Sequence, residues 1–394
     1  MFLNYFCVLI FVMEEYLSYL SFSDTEIIVL SVLFVVFLVR LFFYFFYYKK
    51  PASFVKKTVA NTSAISLKNM PSVSVIIVSK NESENLKKNL PAILSQEYPN
   101  FEVIVVNDGS TDESENLLKH LSVNHPNLYH TFSPDTADRK LPMTIGIKAA
   151  KNEILLFTEA NCRPSSKHWI MHMMQGIVNG NDIVLGHSNI EGVRGIGKHV
   201  AAHNNLFFGL QYLSKAIRGW AYTGTYRNLA FKRELFFNNK GFSSVLNYAS
   251  CEDVYLNKIV RRFDTAVCLH PDALVTMEVE RFSIWRDIKI AYQRAKQHFK
   301  GGAVNTFWVE ACSRYLFYMA LTTAGVIGAR NENWVLIGAA TLILILMLIT
   351  QLVILNKNCR WLKASPIYWI LIPLDLFQPA YSAYLRYISR NNKH

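Results

Sequence analysis

Apolar and polar positions divide this chain into stretches with different periods. Ile27 to Tyr48 is an apolar run whose one charge is Arg40. A bilayer crossing needs roughly 20 such residues, so the run predicts a span. It is too long for the core of a cleavable leader, and no small-residue cleavage site comes after it. Phe2 to Met13 is apolar but short and ends at Glu14 and Glu15, which suits an interfacial segment or one arm of a tilted hairpin. Near the other end, Tyr315 to Ala329 and Trp334 to Leu355 predict two further spans, joined by Arg-Asn-Glu-Asn. Ile367 to Leu385 holds Asp375 and lies among Pro366, Pro373 and Pro379, so it either spans or re-enters.

The middle of the chain changes period. Val73 to Val78 is short, apolar and β-branched, which predicts a buried strand. Leu86, Leu90, Ile93 and Leu94 come next at helical spacing, and Pro99-Asn100 marks a turn. Glu102 to Val106 predicts a second strand, then Asn-Asp-Gly-Ser-Thr-Asp and a helix holding Leu117, Leu118 and Leu121. Leu128 to Phe132 is a third strand, Lys140 to Ala150 a helix, Glu153 to Phe157 a fourth strand and Asp182 to Leu185 a fifth. Strands alternating with helices at this spacing predict an α/β fold with a mostly parallel sheet and helices on both faces, flanked by transmembrane helices. Ligands of such sheets bind outside the carboxyl ends of the strands. Polar residues gather there: Glu82 after strand one, Asp108 and Asp112 after strand two, Glu159 and Asn161 after strand four, with Lys140 opening the preceding helix.

Charge sets the orientation. Lys49, Lys50, Lys56 and Lys57 come directly after the first run, while Glu14, Glu15, Asp24 and Glu26 precede it, so the residues beyond Tyr48 are expected on the cytoplasmic side. Lys357, Arg360 and Lys363 place the link after Leu355 on the same side. Arg386, Arg390 and Lys393 would lie outside if the last segment spans, so its topology stays open. The net charge of +12 reflects this bias and attraction to anionic headgroups. Nucleic acid is not an expected partner, because no zinc-ligand spacing, helix-turn-helix or RNA-reading motif occurs. The six cysteines are scattered without a Cys-x-x-Cys pair, as expected of reduced thiols.

Val73-Ser-Val-Ile-Ile-Val-Ser-Lys-Asn-Glu, Gln96-Glu-Tyr-Pro-Asn-Phe-Glu-Val-Ile-Val-Val-Asn-Asp-Gly-Ser-Thr-Asp, Arg139-Lys140 and Ile154-Leu-Leu-Phe-Thr-Glu-Ala-Asn-Cys-Arg-Pro occur in this order. Together they resemble the nucleotide-sugar half of membrane-anchored family 2 glycosyltransferases of bacterial type, with the GT-A fold. The resemblance covers roughly residues 70 to 300. It implies donor contacts at Glu82, Asp108, Lys140 and Glu159, with Lys140 near the diphosphate. Asp112 suits the first turn of a helix better than a binding role. The family's metal motif, Asp-any-Asp, reads Glu159-Ala160-Asn161 here. It implies Mg²⁺ or Mn²⁺ held by Glu159 and Asn161, with a neutral amide as the weaker ligand and basic side chains able to share the role.

Gly224-Thr-Tyr-Arg-Asn-Leu-Ala also resembles the family, implying that Arg227 and Asn228 meet the acceptor or phosphate and that Gly224 lets backbone approach a ligand. Glu252-Asp253 opens an amphipathic helix; by resemblance Asp253 is the general base and Glu252 its neighbour. Phe282 to Lys300 mixes apolar and basic residues and predicts a helix on the membrane surface. Gln293-Arg-Ala-Lys-Gln-His298 echoes in part the Gln-any-any-Arg-Trp of processive members, which makes Lys296 and His298 diphosphate candidates and favours transfer of one or a few sugars.

The expected organisation is an anchor over residues 1–50, a cytoplasmic catalytic domain over 51–300 and membrane segments over 301–394. The catalytic domain divides into a nucleotide-sugar half (70–186) and an acceptor half (187–300). The expected activity is inverting, metal-assisted transfer of a hexosyl-type group from a UDP-linked donor to a lipid-linked or glycan acceptor, in a multi-pass protein of the bacterial inner membrane. The alternative is an impaired sugar-nucleotide-binding scaffold with a degraded metal motif. A transporter is disfavoured, because three or four spans are few and the long polar insert would be unexplained.

Overall fold

The computed structural model describes residues 22–60, 70–134, 139–248, 250–302, 305–368 and 370–391. The expected segment Phe2 to Met13 lies outside them. The chain forms two compact units: residues up to Phe46 with Asn305–Leu355, and Tyr47–Val304 with the residues from Asn356 onward. Residues beyond Leu355, expected among the C-terminal membrane segments, thus group with the unit that holds the sheet.

Among the described residues, two helices, Asp24–Ala60 and Trp334–Trp361, are long and apolar enough to cross a membrane. In the first unit, Ser23 starts the helix Asp24–Phe42 with reciprocal bonds: its Oγ accepts from Glu26 N, and Glu26 Oε2 accepts from Ser23 N. Arg40, the single charge in the predicted span, is buried, its guanidinium 5.1 Å from the Phe317 ring centroid and 5.7 Å from that of Tyr318. Helix Thr306–Arg330 buries Glu310 and Arg314 as an ion pair one turn apart, at 2.5 Å. That helix contains the predicted span Tyr315 to Ala329, and the buried pair falls just before its apolar stretch.

The second unit is built on a seven-stranded sheet of order β3-β2-β1-β4-β8-β6-β9. The strands are β1 (Val73–Ser79), β2 (Phe101–Asp108), β3 (Leu128–Ser133), β4 (Ile154–Glu159), β5 (Cys162–Pro164), β6 (Ile183–Leu185), β7 (Ser188–Glu191), β8 (Leu229–Lys232), β9 (Thr265–Val267) and β10 (Val275–Glu278). The first four pair in parallel, as their near-continuous apolar runs require: β1 and β4 are buried on both faces by helices. The predicted fifth strand, β6, does not extend this parallel set. Strand β8 lies between β4 and β6 and runs antiparallel to both. A smaller sheet, β5-β10-β7, continues from the end of β4. Asn89 fixes the turn between them, its Nδ2 donating to Ala160 O at 3.0 Å.

This topology builds the rim. Register sets Val78 beside Glu159 and Ser79 beside Asn107, so the ends of β1, β2 and β4 are level. Gly109 turns the chain after β2 at φ 61°, a conformation that favours glycine. Asp112 Oδ2 accepts from Ser83 N at 2.9 Å and its Oδ1 from Ser114 N at 3.1 Å, so it caps helix starts as its position predicted.

Helix Phe282–Lys296, expected on a membrane surface, is anchored to the protein through Trp285. That indole is fully buried and stacked on Tyr381, with centroids 6.0 Å apart. A tryptophan facing headgroups would keep one edge wet.

Gly186 packs directly on Asn228: a Cβ there would lie 2.3 Å from the Asn228 amide. Gly186→Ala should therefore push that amide off two backbone carbonyls and cost about 2 kcal/mol. A thermal-unfolding midpoint equal to that of the wild type would refute this packing.

Candidate active site

Among the residues singled out in the sequence, Glu82, Asp108, Glu159, Asn161, Arg227, Glu252 and Asp253 line one cavity of about 540 Å³. They come from the ends of β1, β2 and β4, the loop before β8 and the start of helix Cys251–Val260. Gly224 lines it too, although a Cβ there would strike Leu185 Cδ2 at 2.7 Å, so packing alone accounts for that glycine.

Other predicted residues lie elsewhere, each for a visible reason. Lys140 borders a different hollow, and its Nζ donates to Leu246 O at 3.1 Å. Arg139, one residue earlier, enters the cavity instead. Asn228 is fully buried: Nδ2 donates to His187 O at 3.1 Å and Ala273 O at 2.8 Å, while Oδ1 accepts from Trp169 Nε1 at 3.0 Å. It is a satisfied structural amide that joins the helix after β5, β7's approach and the turn before β10. His298 is exposed and packs on Tyr248, and Lys296 is not in the cavity wall.

The cavity also holds residues that the sequence alone does not single out: Lys80, Arg139, Tyr226, Asp287, Lys289 and Tyr292. Ile284, Asp287, Ile288 and Ala291 form one helical stripe that faces it. That periodicity is readable in the sequence, where it suits a membrane surface equally well.

Glu159 is the most constrained group. Arg139 Nη1 donates to its Oε1 at 2.8 Å and Arg227 Nε to its Oε2 at 3.2 Å. Arg227 Nη1 also donates to Thr225 Oγ1 at 3.2 Å. Burial would raise the Glu159 pKa, but the guanidiniums of Arg227 and Arg139 outweigh it and hold it down to about 2. Asp253 moves the other way. Burial and the neighbouring Glu252 carboxylate raise it well above the ordinary aspartate value, and Arg227 and Arg139 only partly oppose them. Glu82 is also raised, chiefly by burial. Lys289 is pulled down to about 7 by burial, with Arg227 adding repulsion.

The helix that carries Asp253 is held in place by backbone contacts. Tyr226 OH donates to Glu252 O at 3.1 Å, and Asp253 N to Ser250 O at 3.2 Å. Ser250, also in the cavity wall, has φ 53°, a strained conformation of the kind that concentrates at functional sites.

A divalent ion needs oxygen ligands with free lone pairs facing it. Glu159 offers each of its oxygens to a guanidinium, and Asn161 Nδ2 donates to Glu278 O at 3.2 Å. Two guanidiniums thus already balance the Glu159 charge, and Asn161 Oδ1 accepts from Cys162 Sγ at 3.6 Å, so an ion between them would compete with both arginines. A second donor group, His172, His270 and Asp272, has ligand atoms within 4.8 Å of one another and lies outside the cavity lining. Its two imidazoles stack 3.7 Å apart at 13°, so their in-plane lone pairs run side by side.

The architecture is a mixed α/β, GT-A-like fold, similar to the solved structure of a mannosyltransferase from Pyrobaculum calidifontis in complex with GDP-Man and Mn²⁺. The TM-score is 0.54 at 17% identity, covering 86% of this chain and 98% of that one. Residues 74–238 match the model of Glycosyl transferase family 2 and form a domain of that family. The chain is 31% identical over 144 residues to glycosyltransferase AglE of Haloferax volcanii, covering 36% of this chain and 47% of the relative. It is 29% identical over 89 residues to the poly-beta-1,6-N-acetyl-D-glucosamine synthase of Staphylococcus epidermidis, covering 23% of this chain and 21% of that one. The match therefore spans less than half the length of these curated relatives.

The raised Asp253 generates a stability test. Ionising it in the fold costs free energy that is absent below the ordinary aspartate pKa and grows as pH climbs to the raised value. Asp253→Asn should melt higher than wild type at alkaline pH, with the gap closing toward acid pH. A variant that melts lower at every pH would show that the carboxylate is not under this strain.

Proposed function

We propose that this chain is an inverting glycosyltransferase that moves a sugar from a nucleotide-sugar donor to a membrane-associated or polysaccharide-type acceptor, with Asp253 as general base. The observation that carries the reading is that Asp108, Glu159 and Asp253, from distant stretches, share one cavity with two guanidiniums.

Asp108 and Glu82, at the ends of adjacent strands, supply carboxylate oxygens for hydroxyls and N–H groups of the nucleoside. Arg139 acts on both Glu82 and Asp253, and Arg227 on Asp253, so the two arginines are the groups to meet a diphosphate that bridges nucleoside and sugar. An acceptor hydroxyl attacks the anomeric carbon and gives its proton to Asp253. The bond from that carbon to the diphosphate breaks on the opposite face, and its electron pair leaves on the phosphate oxygen. Direct displacement inverts the centre and needs one base. A carboxyl raised above its ordinary pKa holds the proton it takes more firmly than a solvated aspartate, as general-base work near neutral pH requires. Glu252 is the adjacent carboxylate whose repulsion sustains that shift.

The similar mannosyltransferase structure holds GDP-Man, so GDP-linked as well as UDP-linked donors belong in a screen. Two helices of spanning length, with Lys49, Lys50, Lys56 and Lys57 after the apolar run, support an integral membrane protein with its catalytic unit on the cytoplasmic side.

Mass-spectrometric screening of donors on membranes containing the chain tests the activity. With the active donor, Asp253→Asn should lower turnover at least about a hundredfold while donor binding persists. Background rates with every donor, unchanged in the variant, would leave the scaffold reading in its place.

A further inference from the structure

The carboxylate after β4 occupies the place where the resembling family holds its metal, yet in this chain it is already neutralised. Glu159 has one guanidinium on each oxygen, and those guanidiniums arrive from separate elements: Arg139 ahead of helix Lys140–Ala149, and Arg227 in the loop before β8. A third basic side chain, Lys289, enters the same cavity from helix Phe282–Lys296; with its pKa drawn down to about 7, it is a group whose proton a bound diphosphate would hold in place. Its ammonium lies 4.6 Å from the Phe208 ring centroid.

A guanidinium has five N–H donors in a planar fork. Glu159 takes one from each arginine, and Thr225 takes a second from Arg227. Both arginines line the cavity, and a guanidinium with donors to spare can bind phosphate oxygens in pairs. Asn161 adds no charge of its own, and its Oδ1 already accepts from Cys162 Sγ at 3.6 Å.

The cavity's other carboxylates temper this local charge: Glu252 and Asp253 attract Arg139, while burial makes Glu82 and Asp253 reluctant to ionise. Glu82 and Asp108 sit on the β1 and β2 side, Glu252 and Asp253 on the acceptor helix and Asp287 on the helix with Lys289. Lys80 lies at the β1 end.

The geometry points to a diphosphate site in which Glu159 is a positioning residue that aims Arg139 and Arg227, and these two with Lys289 carry the leaving group's charge without a divalent ion at Glu159 and Asn161. The inference rests on the transferase reading above. The bonds made and broken are those already given. What it adds is that the negative charge appearing on the diphosphate oxygen meets guanidinium and ammonium N–H groups.

The test measures binding of UDP and GDP to the purified full chain, by equilibrium dialysis, in EDTA and again with Mn²⁺ or Mg²⁺. Donor turnover is read under the same conditions. The expected result is that one nucleoside diphosphate binds equally well in EDTA and that turnover survives it. Arg227→Lys and Arg139→Lys should each weaken that binding about tenfold, because a point charge replaces a two-pronged donor. Circular dichroism on each variant separates this loss from unfolding, and the wild-type EDTA arm needs no variant. Binding or turnover that appears only with the metal overturns this inference and leaves the transferase reading intact. No binding of either nucleotide under any condition overturns both.

Discussion

The two guanidiniums on Glu159 are the constraint around which the site is organised. A carboxylate at the end of a buried strand cannot stay ionised without partners, since desolvation alone would protonate it. Here the partners come from separate stretches of the chain: Arg139 from just before helix Lys140–Ala149 and Arg227 from the loop before β8. The ion pairs therefore join two regions as well as balance a charge. They also set the field at Asp253, where the same arginines temper a shift that burial and Glu252 impose. Two carboxyls in one cavity are driven in opposite directions: Glu159 is held ionised and Asp253 is made reluctant to ionise. Pairs of groups pushed apart in this way mark acid–base sites.

The helix that closes the cavity shows how one element serves packing and chemistry at once. Trp285 buries against Tyr381 and fixes the helix, while Lys289 and Tyr292, one and two turns further along the same face, reach the cavity with Asp287. Phe208 and Tyr292 meet edge to face at 4.9 Å, which ties this wall to helix Ile196–Ala216. A wall packed this way has little freedom to shift when a ligand enters.

Much of the arrangement was legible in the sequence. Each apolar run stops where a polar cluster begins, so Asp108 and Glu159 fall at strand ends by pattern alone. Residues 79–82, 107–112 and 159–161 could be assigned to one rim once the sheet was read as parallel. The parts that could not be read turned on rotation and on distant pairing. Arg139 and Lys140 are neighbours, but consecutive residues at a helix start point about 100° apart, so the pattern could not say which faces the cavity. Asn228 looked like a ligand because it is polar and adjoins Arg227, yet its amide fills the space over Gly186 and satisfies carbonyls that the sequence cannot show to be nearby. Strand β8 is four residues long and carries no periodicity of its own; its place between β4 and β6 depends on contacts far along the chain.

That placement of β8 bears on how the protein can be dissected. Its backbone hydrogen bonds complete β4 on one side and β6 on the other. A fragment cut near residue 186 would retain β4 but strip its neighbour, leaving a central, largely apolar strand as an open border. Unpaired strand borders recruit other chains. The stretch before that cut is thus not a detachable module: residues on both sides of it make one sheet, and the cavity wall needs the later segment in place.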